Sequence, residues 1–221
     1  LPSYATPYQL KNGMWTEEDK AARAEYGNYI DEFLKTVAPR FLSYDFYPME
    51  GEFPNIKEGY FENLSLISEK AQTANIPFWV FIQVCAFNPN VRVPNAAEIF
   101  WQVNTALAYG AKGIQYFTYF QPADSVYETF RGGMISDKGR PTASYDAVKK
   151  INKHLSACGN ILIDARLRKV EHGDFLISEF DDGKKKYSYI VNLSLTEEKT
   201  VRINDCVAVV RGETVRGNTF T

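Results

Sequence analysis

Asp45 is the first residue whose type and position suggest chemistry. It lies in residues 40–47 (RFLSYDFY), an otherwise apolar strand candidate that ends at Pro48, so it falls near the strand's carboxyl end. A carboxylate among apolar neighbours is costly unless it is paired or functional. A hydrogen-bonded structural Asp and a working acid both fit. Tyr47 follows at i+2 and shares the face of Asp45 in extended chain. Gln83 stands near the end of a second apolar run, residues 78–84 (FWVFIQV). Tyr119 stands near the end of a third, residues 114–120 (IQYFTYF), with Gln121 just behind. In that run Gln115, Phe117 and Tyr119 alternate with Tyr116, Thr118 and Phe120. Glu50 and Glu52 lie in the loop beyond Asp45, where acids are usually just solvated. Trp15 precedes a helix in a loop, whereas Trp79 and Trp101 lie inside regular elements and read as core. Together these types offer a proton donor or acceptor, amide hydrogen bonding and aromatic stacking.

Other chemistries are poorly supplied. The two histidines, His154 and His172, both read as surface positions, which speaks against a His base or a His-ligated metal. The three cysteines, Cys85, Cys158 and Cys206, include no CxxC pair, which argues against a zinc site or a disulfide framework. Cys85 has no nearby His to activate it and reads as an inert buried thiol. A net charge of −2 offers no basic surface to nucleic acid. No window is long and apolar enough to span a membrane. The chain starts at Leu1 and shows no basic or apolar leader, so a signal peptide is expected to be absent or removed. With 45% hydrophobic and 24% charged residues, the chain has the composition of an ordinary soluble globular protein.

The positioning elements follow from periodicity. Residues 76–121 hold two near-continuous apolar runs joined by a helical segment from about Asn95 to Tyr109, a pattern that predicts a parallel βαβ unit with strands buried on both faces. Asn95 and Glu98 form an N-terminal cap and Gly110 a C-terminal one. Upstream, Thr16 opens a helix with Ala22, Tyr26, Tyr29/Ile30, Phe33 and Val37 on its apolar stripe. A second helix carries Tyr60, Leu64, Ile67, Ala71 and Ala74. Residues 121–141 form a long polar loop, which favours a functional role. A last helix, with Tyr145, Val148, Ile151 and Leu155, ends near Gly159. From about Ile161 the period drops to two. Residues 174–180 and 185–193 flank Asp182-Gly183 as a hairpin. Short strands follow at 200–203 and 207–211.

Strand starts fall near residues 41, 78 and 113, a spacing of roughly 36 against about 31 per unit in a (β/α)8 barrel. No GxGxxG turn follows a strand, which lowers a dinucleotide-binding reading. Counting residues 1–5 as a strand end gives four βα units. The fold class expected is therefore α/β, the C-terminal half of a TIM (β/α)8 barrel (residues 1–160, strands five to eight). A small antiparallel, β-sandwich-like domain follows (residues 161–221). The missing N-terminal half of the barrel would precede Leu1. An open α/β sheet complete in itself is the alternative, but a half barrel leaves strand edges bare.

The motifs SYDFYP (43–48), IPFWVFIQV (76–84) and LAYGAKGIQYFTYFQP (107–122) resemble the carboxyl half of clan-A-type glycoside hydrolase barrels, family 42-like and β-galactosidase-related. The resemblance covers about residues 1–160 and makes these strands six, seven and eight. It implies retaining hydrolysis of an O-glycosidic bond, with an acid/base carboxyl on strand four and a nucleophilic carboxyl at the end of strand seven, about 5–5.5 Å apart. Strand four is not in this chain, and Gln83 stands near where the nucleophilic Glu would be expected; Gln cannot form the glycosyl-enzyme ester. On this reading Asp45 is the catalytic candidate, and Tyr47, Gln83, Tyr119, Gln121, Trp15 and Glu50 contact a carbohydrate substrate. No cofactor or metal is needed, and an extracytoplasmic location follows from the resemblance alone. A non-catalytic or degenerate carbohydrate-binding barrel is the second reading. A barrel lyase or aldolase is the third, but it would want a Schiff-base Lys or metal ligands at the strand ends.

Overall fold

The structure of the chain is a computed structural model that describes residues 17–210 and 213–220, with side chains defined for residues 17, 18 and 20–203. The first helix, α1 (Glu17–Val37), leads into β1 (Leu42–Asp45), α2 (Tyr60–Thr73) and β2 (Phe78–Gln83). Then come β3 (Cys85–Ala86), α3 (Ala96–Ala108), β4 (Gly113–Phe117), β5 (Arg131–Gly132) and α4 (Ala143–Asp164). Strands β1, β2 and β4 form one parallel sheet in that order. The expected βαβ unit is therefore present, with a second one before it. Thr16, the expected cap of α1, lies outside the described residues.

Burial alternates along β1 and most of β2 and is partial throughout β4, which corrects the expectation of strands buried on both faces. Leu42, Tyr44, Phe46, Phe78, Val80 and Ile82 are buried in the core. Ser43, Asp45, Tyr47, Trp79, Phe81, Gln115 and Phe117 on the other face are half-buried. Helices cover one face only among the described residues, so apolar Trp79 and Phe81 sit on the open side. Helix α3 is held at both ends by its local chemistry. Asn95 caps α3 by accepting from Glu98 N (3.0 Å), while the Glu98 carboxylate accepts from Asn95 N (2.9 Å), the reciprocal box expected from the sequence. Gly110 ends α3 in the left-handed region (φ 90°), where a Cβ would be strained. On α1, Tyr26 and Ile30 are buried as expected, but Tyr29 and Val37 of the predicted stripe are exposed.

Three further expectations are corrected. The last parallel strand ends at Phe117, not Phe120. Its ladder partner β2 ends at Gln83, so residues beyond Phe117 have no strand to continue along. They turn instead toward residues 133–135, where Met134 N and Ile135 N donate to the carbonyls of Thr118 and Tyr119. Second, part of the polar loop is structured, because β5 pairs antiparallel with β3. Third, α4 runs through Gly159 to Asp164, so the boundary expected at 160/161 falls inside its last turns.

Strands β6 (Arg166–His172), β7 (Phe175–Asp181) and β8 (Lys186–Asn192) form an antiparallel meander. Its β7–β8 turn is the expected one. Gly183 takes φ 84°, and Asp182 Oδ1 accepts from Lys184 N and Lys185 N (2.8 and 2.7 Å). The meander packs on the α/β part, as expected. Leu176, Phe180 and Val191 join the same core, Trp101 Nε1 donates to Leu193 O (3.2 Å), and Tyr189 donates to Asn104 (2.5 Å). The expected short strands at 200–203 and 207–211 are instead one strand, β9 (Val201–Val210), paired with an unforeseen β10 (Glu213–Phe220) in a separate sheet. The pair is interrupted by a register shift between Gly217 and Thr219 on β10.

Candidate functional site

Parallel pairing sets the residues of the open face in rows. Ser43, Trp79 and Gly113 form the first, Asp45, Phe81 and Gln115 the second, and Gln83 and Phe117 lie beyond them. The first row is structural. A Cβ at Gly113 would lie 2.5 Å from the Trp79 indole, and Phe41 stacks on that ring at 4.4 Å between centroids. Trp79 therefore fills the amino end of the open face and is only half-buried, outside the core the sequence assigned it to; Trp101, on α3, is buried in that core as expected.

The second row carries the acid. Asp45 is half-buried, and burial raises its carboxyl above the ordinary carboxylate value. A group so placed keeps its proton to higher pH than a solvated Asp. Across the sheet, Gln115 donates to Ser43 Oγ (3.1 Å). Just past β1, Tyr47 packs against Phe87 (5.2 Å, edge-on) and Phe117 (5.3 Å), and Phe117 lies 6.5 Å from Phe130. This aromatic wall stands at the carboxyl end of the sheet, where ligands bind in parallel α/β folds. Burial, then the charge of Asp45, then Cys85 push the Tyr47 phenol up, so it is a neutral donor at physiological pH.

Gln83 is placed differently from the expectation that it contacts substrate. It is fully buried, and its amide is committed to backbone. Oε1 accepts from Met49 N (2.9 Å), and Nε2 donates to Met49 O (3.2 Å) and Arg92 O (2.9 Å). Behind it, Gln102 accepts from Gln83 N and donates to Gln83 O (3.0 and 3.2 Å). The residue that sequence reasoning missed is Arg92. Its guanidinium donates to the carbonyls of Glu50 (2.7 Å) and Asn55 (2.6 Å) and twice to Glu98 Oε1 (2.9 and 2.5 Å). Gln83 and Arg92 together rivet residues 49–55 to the start of α3. The only sequence signal was an Arg six residues before a capping Glu, which by itself reads as a solvated charge.

The remaining candidates scatter. Glu50 turns its carboxylate toward Lys57 (3.6 Å), and Glu52 is exposed. Gln121 donates to Phe130 O (3.2 Å) and so braces the loop after β4. Tyr119 leaves the sheet and is exposed, so it does not share a strand face with Phe117 as expected. Trp15 lies outside the described residues. Cys85 is a buried thiol pushed up to about 11 by burial, and so stays protonated at neutral pH. Its burial and lack of a thiolate match the inert reading. His172 contacts the Tyr109 hydroxyl, away from the strand ends, and burial lowers its imidazole. Among the described residues no three His, Cys, Asp or Glu side chains come together as metal ligands would. No described helix is long and apolar enough to cross a membrane.

A family model described as beta-galactosidase, glycoside hydrolase family 42, matches residues 25–158. No curated protein matches. Among solved structures, the chain is similar to a beta-galactosidase from the psychrophilic Marinomonas ef1 (17% identity, TM-score 0.43), covering 57% of this chain and 22% of that one. It is also similar to a polyextremophilic beta-galactosidase from the Antarctic haloarchaeon Halorubrum lacusprofundi (15% identity, TM-score 0.38), covering 71% of this chain and 28% of that one. The chain thus spans less than a third of the length of either enzyme. The family match runs from α1 through β1, β2 and β4 into α4, the whole frame that carries Asp45, Tyr47 and the Gln83 clamp, and by it the chain belongs to the beta-galactosidase family, glycoside hydrolase family 42.

Proposed function

We propose that this chain supplies strands five to eight of a (β/α)8 barrel in a protein that hydrolyses an O-glycosidic bond of a carbohydrate. The observation that carries the reading is the family match over residues 25–158, which spans the open face with Asp45 and the Tyr47 wall. In such a reaction water adds across the glycosidic bond: a proton goes to the departing oxygen and the hydroxyl to the anomeric carbon. Asp45, with its carboxyl raised by burial, suits proton exchange or a hydrogen bond to a sugar hydroxyl. Tyr47 would present a ring face and a neutral hydroxyl. The nucleophilic carboxyl of a retaining mechanism would then come from outside this face, because Gln83 is an amide whose hydrogen bonds hold a loop. No cofactor enters this chemistry, and the extracytoplasmic location belongs to the same proposal.

The Gln83 clamp also favours a second reading, a carbohydrate-binding barrel without turnover. A panel of aryl glycosides and oligosaccharides presented to the full-length protein separates the two. Turnover that falls on Asp45→Asn supports the hydrolase. Sugar binding without turnover supports the binding barrel. Neither turnover nor binding refutes both.

A further inference from the structure

We propose that the loop between β4 and β5 is an outer sugar subsite built on Tyr127, which holds a unit of an oligosaccharide beyond the bond that reacts. The proposal rests on the carbohydrate reading above and names the substrate class as an oligosaccharide rather than a lone disaccharide.

Large apolar side chains are displayed on this loop to an unusual degree. Tyr127 is 91% exposed, Val126 92%, Tyr119 61% and Phe120 49%. Four such side chains within nine residues of one loop make it a surface on which a ligand could stack. The loop that carries them is held in shape by its own hydrogen bonds. Ser125 Oγ accepts from Tyr127 N and Glu128 N (3.2 and 3.0 Å), and Ser125 N donates to Glu128 O (2.8 Å). At the base, Asp124 Oδ1 accepts from Phe130 N (2.8 Å), and Gln121 N donates to Ile135 O (2.8 Å). Tyr127 thus sits on a closed turn, and little ordering is left to offset binding.

Position and composition select the ligand. Thr129 N donates to Phe87 O (3.2 Å), and Phe87 packs on Tyr47, so the loop continues the aromatic wall at the strand ends. Residues 119–130 (YFQPADSVYETF) contain two acids and no Lys or Arg. A loop with that balance repels nucleic acid and anionic lipid. A flat phenol flanked by carboxylate acceptors suits a neutral sugar, whose C–H face stacks on the ring while its hydroxyls donate to acids such as Glu128.

The test measures the full-length protein on an aryl β-galactoside and on a neutral β-linked galacto-oligosaccharide. If the protein binds without turnover, dissociation constants replace kcat/KM. Tyr127→Ala is expected to lower the ratio of oligosaccharide to aryl-galactoside kcat/KM roughly tenfold, through KM, the scale of one aromatic contact. Tyr127→Phe should keep the ratio, and Lys184→Ala at the distant β7–β8 hairpin tip serves as the control. An unchanged ratio in Tyr127→Ala overturns the subsite. So does an unchanged ratio accompanied by a change of oligomeric state in light scattering, which makes the loop a contact between copies. A full-length protein that neither binds nor turns over any sugar fails earlier, and takes the carbohydrate reading down with it.

Discussion

Replacing Gln83 by Glu would put an acid near the place where the family resemblance wants one, yet the hydrogen bonds around that position make the change destabilising. Gln83 Nε2 makes two donations, to Met49 O and Arg92 O, and Oε1 accepts one, from Met49 N. Met49 O keeps a second donor, Arg92 N at 3.1 Å, so the loss there is partial. An ionised carboxylate at position 83 has no donor at all, and it sets a buried negative charge against two carbonyls. Losing the donor to Arg92 O costs about 1–3 kcal/mol. Burying an unpaired carboxylate raises the total at pH 7 to about 3–5 kcal/mol. The strain is relieved by protonation, which restores one O–H donor and lifts the folded-state pKa above the unfolded one. The native state then holds the proton longer, so stability is greatest below about pH 4 and falls as pH rises toward the folded pKa, by at most about 1.4 kcal/mol per pH unit. Urea unfolding of the full-length protein between pH 4 and 8 would show a penalty that grows with pH for Gln83→Glu and stays flat for Gln83→Met. A Gln83→Glu protein as stable as the parent at pH 7 would refute the clamp. So would newly gained hydrolysis, because residue 83 would then face the substrate.

Four other outcomes rest on the same frame. Arg92→Ala strips the cation from Glu98, whose side chain is 2% exposed, and should cost about 3–5 kcal/mol in urea unfolding, with Arg92→Lys recovering only part because an ammonium cannot fork to carboxylate and carbonyls at once. Gly159→Ala should stabilise by about 0.5–1 kcal/mol, since Gly159 is inside α4 and a Cβ there meets nothing within 4 Å; a loss would mean that the helix ends there as the sequence suggested. Cys85 has a folded thiol raised from 9.0 to about 11 by burial, so the stability it contributes is complete below pH 9 and is lost as pH rises toward 11. Parallel unfolding of the parent and Cys85→Ala over that range should show the parent declining more steeply, since buried phenols common to both, Tyr47 among them, also resist ionisation. Asn95→Ala removes half of the capping box and should lower α3-linked stability by about 1 kcal/mol, read as a shift in the urea midpoint.

Much of the fold was legible in the sequence. Asn95, Glu98 and Gly110 marked both ends of α3, because capping is chemistry between neighbours in the chain. Asp182-Gly183 marked the β7–β8 turn for the same reason. The apolar runs at 78–84 and 114–120 located two parallel strands, since burial behind helices selects apolar residues whatever the partner. Asp45 and Tyr47 also landed at a strand end, because extended chain places i and i+2 on one face.

Long-range hydrogen bonds and ladder ends were decided only in three dimensions. Nothing local says that β4 must stop at Phe117; its partner's end at Gln83 says so. Gln83 reads equally as a ligand amide or a wall amide until Met49, 34 residues upstream, closes on it. Arg92 looks like any loop cation until Glu98, Glu50 and Asn55 converge on its guanidinium. The sequence determined the helices, the turns, the apolar strands and the types of group available for chemistry. The tertiary structure decided which polar groups are consumed in holding loops, because satisfying a buried donor or acceptor depends on partners that sequence spacing does not reveal.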